Sequence, residues 1–217
     1  KDIIFDFAGH TYTVTGELVG SSGTKTLGMQ ILEGAKVTLR NGTFKADKHV
    51  KMLVQNYSNL TLDNFNLDVT GVDYEYAYAL SNNSGEILIT GESNISSDYC
   101  AFDLWYGFMG AYLDGVSVTF DDNYTGTVTG AIEYGKDSRA DVSDWLEKTS
   151  LVIKNGTFNG NLVFTSEFDT AKADITVYGG TFTDKAFGAY CDSEVKLDKE
   201  GNVISSYFAA IGEEKYK

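Results

Sequence analysis

The strongest constraint on the fold of this chain is a short segment that it repeats. VTLRNGTF at residues 37–44 returns as LVIKNGTF at 151–158 and as ITVYGGTF at 175–182. Two apolar residues alternate with polar ones, then a turn residue, then Thr-Phe. Period two puts both apolar side chains on one face of a strand. Asn, Asp or Gly after them tolerates a left-handed backbone, so the chain can bend there.

The same frame fits elsewhere: Val37, Leu39 and Asn41; Leu60, Leu62 and Asn64; Ile87, Ile89 and Gly91; Val118, Phe120 and Asp122; Leu151, Ile153 and Asn155; Ile175, Val177 and Gly179. Phe5 and Phe7 before Ala8-Gly9 form a degenerate first copy. Neighbouring copies are separated by 23 to 33 residues. Three residues past the turn comes an apolar side chain, Phe44, Leu67, Phe158 or Phe182, but the two middle copies have Asn94 and Thr125 there. A second strand-like run follows in every copy, HVKMLVQ, YEYAYAL, CAFDLWY, GAIEY, NLVFTS and AFGAYC.

One copy cannot bury its apolar face alone, so the pattern predicts stacked copies sharing a continuous core, an all-β parallel solenoid of about seven coils. Leu39, Leu62, Ile89, Phe120, Ile153 and Val177 are expected in one inward stack, with Phe44, Phe158 and Phe182 also inward. Asn41, Asn64, Asp122 and Asn155 are expected at one corner, their side chains hydrogen-bonding along the stack. An antiparallel sandwich also shows short strands between regular turns. The constant turn chemistry at one register, and the lack of two-residue hairpin signals, weigh against it.

Composition agrees. The 217 residues include no proline, so no position is barred from donating to a β ladder. A net charge of −14, with Arg40 and Arg139 the only arginines, argues against nucleic acid and acidic membrane surfaces. No run approaches the roughly 20 apolar residues of a membrane span, so no membrane insertion is expected. The chain opens on a strand-like run, KDIIFDF, with no signal peptide in view, as a chain with a cleaved leader also would. Cys100 and Cys191 are too few for a disulfide scaffold and are expected as two buried free thiols, with a bridge between them the alternative.

FDFAGHTYTV followed by ILEGAKVTLRNGTF resembles the opening coils of right-handed parallel β-helix proteins of the pectate-lyase-like superfamily. Copies with GGTF resemble coils of surface proteins of gut bacteria, and of phage fibres and decoration proteins. The resemblance spans residues 3 to 190. It implies a β-helix over 1–190 and an extracellular, cell-surface or virion setting. The segment 191–217 departs from the pattern and is expected to cap the open end, with a hairpin around Lys199 to Asn202.

Lyases of this superfamily use acidic residues on Ca²⁺ and a basic residue as base; its hydrolases use clustered Asp. The acidic candidates here are Asp121-Asp122 and Asp137, Asp141 and Asp144 around Arg139. The second group lies in the longest insertion, expected as a solvated loop plus a short helix capped by Ser143 or Asp144. His10 and His49 have no partners at zinc-ligand spacing, and no nucleotide or cofactor fingerprint is present, so neither metal nor cofactor is expected.

Aromatics are the better lead. In VDYEYAYAL, Val72, Tyr74, Tyr76, Tyr78 and Leu80 share one face, which Val72 and Leu80 mark as the core side; three buried phenols would need partners, so a lateral binding face is the alternative. In YCAFDLWY, Cys100, Phe102, Leu104 and Tyr106 form the buried set, leaving Tyr99, Asp103 and Trp105 outward. Exposed rings beside a carboxylate suit a sugar, with stacking on the pyranose face and hydrogen bonds to hydroxyls. The bland alternative is that the loop GFMGAYLDG folds over Trp105. The reading is a non-catalytic module binding a glycan or a surface partner laterally, near the third to fifth coils where Asn94 and Thr125 break the rule. A phage fibre or decoration protein, and a polysaccharide lyase or hydrolase, are the alternatives.

Overall fold

The computed structural model describes residues 1–20, 25–47, 49–107, 115–140 and 145–192, with the backbone of 196–197 and 203–204. The alternating segments are strands. In chain order they are β1 (Asp2–Asp6), β2 (Thr11–Val14), β3 (Leu27–Ile31), β4 (Lys36–Ala46), β5 (Met52–Tyr57) and β6 (Asn59–Asp68). Then come β7 (Tyr78–Thr90), β8 (Ile95–Tyr106), β9 (Val116–Phe120), β10 (Thr127–Lys136) and β11 (Thr149–Ile153). The series closes with β12 (Thr157–Asn159), β13 (Leu162–Phe164), β14 (Asp174–Val177), β15 (Thr181–Phe182), β16 (Lys196–Leu197) and β17 (Val203–Ile204).

The first fifteen strands form one curled sheet whose named pairings are all parallel. Among the described residues the antiparallel contacts are the β16–β17 pair and a single bridge between Val19 and Leu27. Helix is confined, among described residues, to short 3-10 turns such as Lys185–Tyr190. Both cysteines are free thiols, Cys100 buried as expected and Cys191 only partly so.

Three ladders run through the sheet. The first aligns Phe5, Leu39, Leu62, Ile89, Phe120, Ile153 and Val177 in register. From Leu39 to Val177 every member of that column is wholly buried, as the repeat predicts. The second aligns Tyr12, Phe44, Leu67, Ile95, Val128, Phe158 and Phe182. Here a prediction is corrected. Asn94 and Thr125 do not interrupt the column, because Ile95 and Val128 fill it after one and three extra residues. Asn94 instead joins a side-chain ladder, taking Asn66 Oδ1 through both its N–H and Nδ2 (2.9 and 2.8 Å) and accepting from Thr127 N–H at 2.9 Å. The third ladder, from the second runs of each copy, aligns Met29, Val54, Leu80, Phe102, Ile132 and Leu162.

Corner residues divide. Asn41 (φ 54°), Asn64 (φ 50°) and Gly91 (φ 63°) take the left-handed conformation. A Cβ at Gly91 would lie 2.6 Å from Asn64 Oδ1, so glycine is needed where the two corners touch. Their side chains do bond along the stack: Asn41 Nδ2 reaches Asp6 Oδ1 at 3.2 Å, and Asn64 Oδ1 accepts from the Glu92 N–H at 3.0 Å. Asp122 and Asn155, expected to match them, do not. After Phe120 a hydrogen-bonded turn, Tyr124 N–H to Asp121 C=O at 3.1 Å, carries Tyr124 into the core. The positive φ then falls on Gly156 (113°), against the Tyr124 ring, while Asn155 accepts from the Gly156 N–H.

The end of the columns is covered by the 3-10 turn Lys185–Tyr190, whose Phe187 is wholly buried with its ring 4.6 Å from Phe182. Asp184 starts this turn, accepting from Ala186 N–H, and its other oxygen accepts from Leu162 N–H, both at 2.9 Å. β16 and β17 flank the expected hairpin around Lys199 to Asn202, which lies outside the described residues, as do Ser143, Asp144 and most of GFMGAYLDG.

Candidate functional site

The third ladder carries the richest polar chemistry. Its register sets Ser81 on β7, Asp103 on β8 and Glu133 on β10 side by side. Asp103 accepts from the Ser81 hydroxyl at 3.0 Å and from the Asn82 N–H at 2.9 Å. Glu133 accepts the Tyr78 hydroxyl on one oxygen (2.9 Å) and the Tyr99 hydroxyl on the other (3.0 Å). The row continues backward as a side-chain chain: Gln30 donates to Gln55, Gln55 to Asn83, and Asn83 to Ser81.

This corrects one expectation. Asp103 does not point into solvent; it is 4% exposed, and Glu133 is 6% exposed. The reason is the built-in donors, since a carboxyl that receives a hydroxyl and an N–H from the neighbouring strand can be held away from water. Burial first, then the neighbouring Glu133 charge, pushes the Asp103 carboxyl up to about 8. The shift favours the neutral acid over the carboxylate at this buried position. Burial, together with Glu133, likewise raises the Tyr78 and Tyr99 phenols.

The tyrosine face is the second correction. Val72 to Ala77 are not strand, and burial falls on Ala77, Ala79 and Leu80 rather than on the phenol rings. The rings instead form an edge-to-face row on the surface. His49 meets Tyr74 at 4.5 Å, Tyr74 meets Tyr76 at 6.4 Å, Tyr76 meets Tyr99 at 5.2 Å, and Tyr99 meets Tyr78 at 5.5 Å. Tyr76 is 50% exposed at the middle of the row. Glu133 anchors the end of the row through the Tyr78 and Tyr99 hydroxyls.

Of the three residues singled out in the sequence, Tyr99 and Asp103 thus come together around Glu133. Trp105 is half-buried two residues further along β8, opposite Gly135. Cys100, Phe102, Leu104 and Tyr106 are buried as expected. Glu133 escaped notice, and Tyr78 was named only as a member of the tyrosine face. Aligning the second runs would have found Glu133: Ala79-Leu80-Ser81, Ala101-Phe102-Asp103 and Ala131-Ile132-Glu133 share an Ala–apolar–polar triplet.

The other acidic candidates are engaged elsewhere. Asp137 pairs with Arg139 at 2.8 Å, which lowers its carboxyl to about 2, and Asp122 pairs with Lys154 at 3.0 Å. Asp141 and Asp144 lie outside the described residues. No metal-binding group of His, Cys, Asp and Glu occurs among the described residues. No family model, curated protein or solved structure matches the chain.

Proposed function

We propose that the chain is a right-handed parallel β-helix of about seven coils, a non-catalytic module of a bacterial surface protein that binds carbohydrate through the tyrosine row. The β-helix is supported by the order of the ladders, which the chain visits as first, second and third on each pass from β4 to β13. The binding role rests on one observation: a lateral row of four tyrosines with Tyr76 half-exposed and the Tyr78 and Tyr99 hydroxyls pinned by Glu133. Rings held in place by their own hydrogen bonds lose little freedom on binding, which favours a stacking ligand. Acid–base catalysis is less well supported, because both oxygens of Asp103 and of Glu133 are already taken by protein donors.

A glycan array on the wild type, followed by titration calorimetry on any hit, tests this. Tyr76→Ala is expected to weaken binding roughly tenfold, the loss of one stacking ring. Its melting temperature should stay close to wild type, since the ring covers no core. An array without hits, or a Tyr76→Ala variant that binds as tightly as wild type, defeats the carbohydrate reading.

A further inference from the structure

Three asparagines of this chain are followed directly by glycine: Asn41, Asn155 and Asn159. In such a pair the glycine nitrogen can attack the asparagine side-chain carbonyl carbon, since glycine has no side chain to crowd the closing ring. Whether the attack occurs depends on how firmly the fold holds the two residues.

Two of the pairs are held. Asn41 and Gly42 lie inside the continuous strand β4, where Gly42 is in register with Phe65 of β6. Asn41 Nδ2, the group that would have to leave, donates to Asp6 Oδ1 at 3.2 Å. Asn159 is the last residue of β12, in register with Thr129 of β10. Gly160 packs so closely on β10 that a Cβ there would collide with the Gly130 carbonyl oxygen.

The third pair is poised. β11 ends at Ile153 and β12 begins at Thr157, so Asn155 and Gly156 form the corner between them, and Asn155 is exposed. The Gly156 N–H donates to Asn155 Oδ1 at 2.9 Å. Oδ1 is bonded to Cγ, so the nitrogen already faces the group it would attack. Nor can the glycine be exchanged for a safer residue, because its φ is 113° and a Cβ would collide with the Tyr124 ring. The packing that carries Tyr124 into the core thus also fixes the reactive pair.

We infer that Asn155 is a site of self-modification, in which water replaces the side-chain amide. The Gly156 nitrogen gives up its proton and attacks Asn155 Cγ. The N–Cγ bond forms as the Cγ–Nδ2 bond breaks, and Nδ2 leaves as ammonia with that proton. Water then opens the cyclic imide. Cleavage at Cγ gives aspartate, while cleavage at the Asn155 main-chain carbonyl gives isoaspartate, whose backbone runs through Cβ and Cγ. Either product places a carboxylate next to Lys154, which pairs with Asp122 at 3.0 Å. Isoaspartate also lengthens the main chain just before two ladder bonds, Thr157 N–H to the Gly126 carbonyl (3.1 Å) and Thr181 N–H to the Gly156 carbonyl (2.9 Å). It therefore loosens β12 from β10 and β15.

The test keeps the protein folded in mildly alkaline buffer made with water carrying heavy oxygen, beside a sample unfolded in guanidinium. Peptide mass spectrometry follows the three sites. In the folded sample Asn155 should convert about as fast as in the unfolded one and take up solvent oxygen, while Asn41 and Asn159 should lag their unfolded rates roughly tenfold or more. Protection of Asn155 to the same degree as the other two, or conversion of either of them as fast as Asn155, overturns the inference. The loosening is read in thermal melts. Aged wild type should melt below equally aged Asn155→Gln, whose longer side chain closes an imide far more slowly. Coincident melts after Asn155 has converted overturn that part of the inference.

Discussion

At one end of the stacked ladders Phe182 lies beneath Phe187, which is shut off from water by a 3-10 turn that Asp184 initiates. At the other end Phe5 and Tyr12 hold the corresponding columns with nothing described above them. The same alternation produces both ends. Apolar periodicity fixes which residues align, and it says nothing about whether a column is covered. Cover comes from residues outside the pattern, here a carboxylate that caps a turn and ties it to Leu162.

The sharpest way to break this comparison is to truncate one ring at each end and measure urea unfolding. Phe187→Ala should cost about 3–5 kcal/mol, the range for a buried ring left as a cavity. Phe5→Ala should cost about 1 kcal/mol or less, since half of that ring is already in water. Equal losses would mean that the two ends are finished alike.

A smaller effect separates the two halves of the corner. Asn64→Val puts a β-branched residue into a left-handed backbone and should cost about 1–2 kcal/mol. Asn155→Val, where the positive φ has passed to Gly156, should stay within about 0.5 kcal/mol of wild type. A reversed order in thermal melts would return the corner to Asn155. The smallest change belongs between the ends. The Tyr124 hydroxyl is buried without a hydrogen-bond partner among the described residues. Tyr124→Phe should therefore hold or raise stability, by up to about 1 kcal/mol.

How far the sequence was readable follows from which interactions are local. The Leu39 column was legible whole, because alternation and a turn residue are enough to specify it. The Phe44 column was read only in part, since counting three residues past the turn fails once a turn takes extra residues, and only pairing shows that Ile95 and Val128 replace Asn94 and Thr125. Asn155 was misplaced for a related reason. The strain moved one residue along when Tyr124, more than thirty residues earlier, entered the core beside Gly156. At the candidate site Tyr99 and Asp103 were visible as an alternating pair. Glu133 was not, because its role depends on hydrogen bonds from two other strands. The tyrosine face was assigned inward on the strength of Val72 and Leu80, but β7 begins only at Tyr78, so the alternation assumed upstream of it does not exist.

The bond from Tyr78 to Glu133 also has a mechanical consequence. It joins β7 to β10 across the intervening β8, while Tyr99 joins β8 to the same carboxylate. A pull along the stack would otherwise peel strands one after another, each yielding alone. Here three neighbouring layers share one fastening. Parting β7 from β8, or β8 from β10, therefore also requires breaking a hydrogen bond to Glu133.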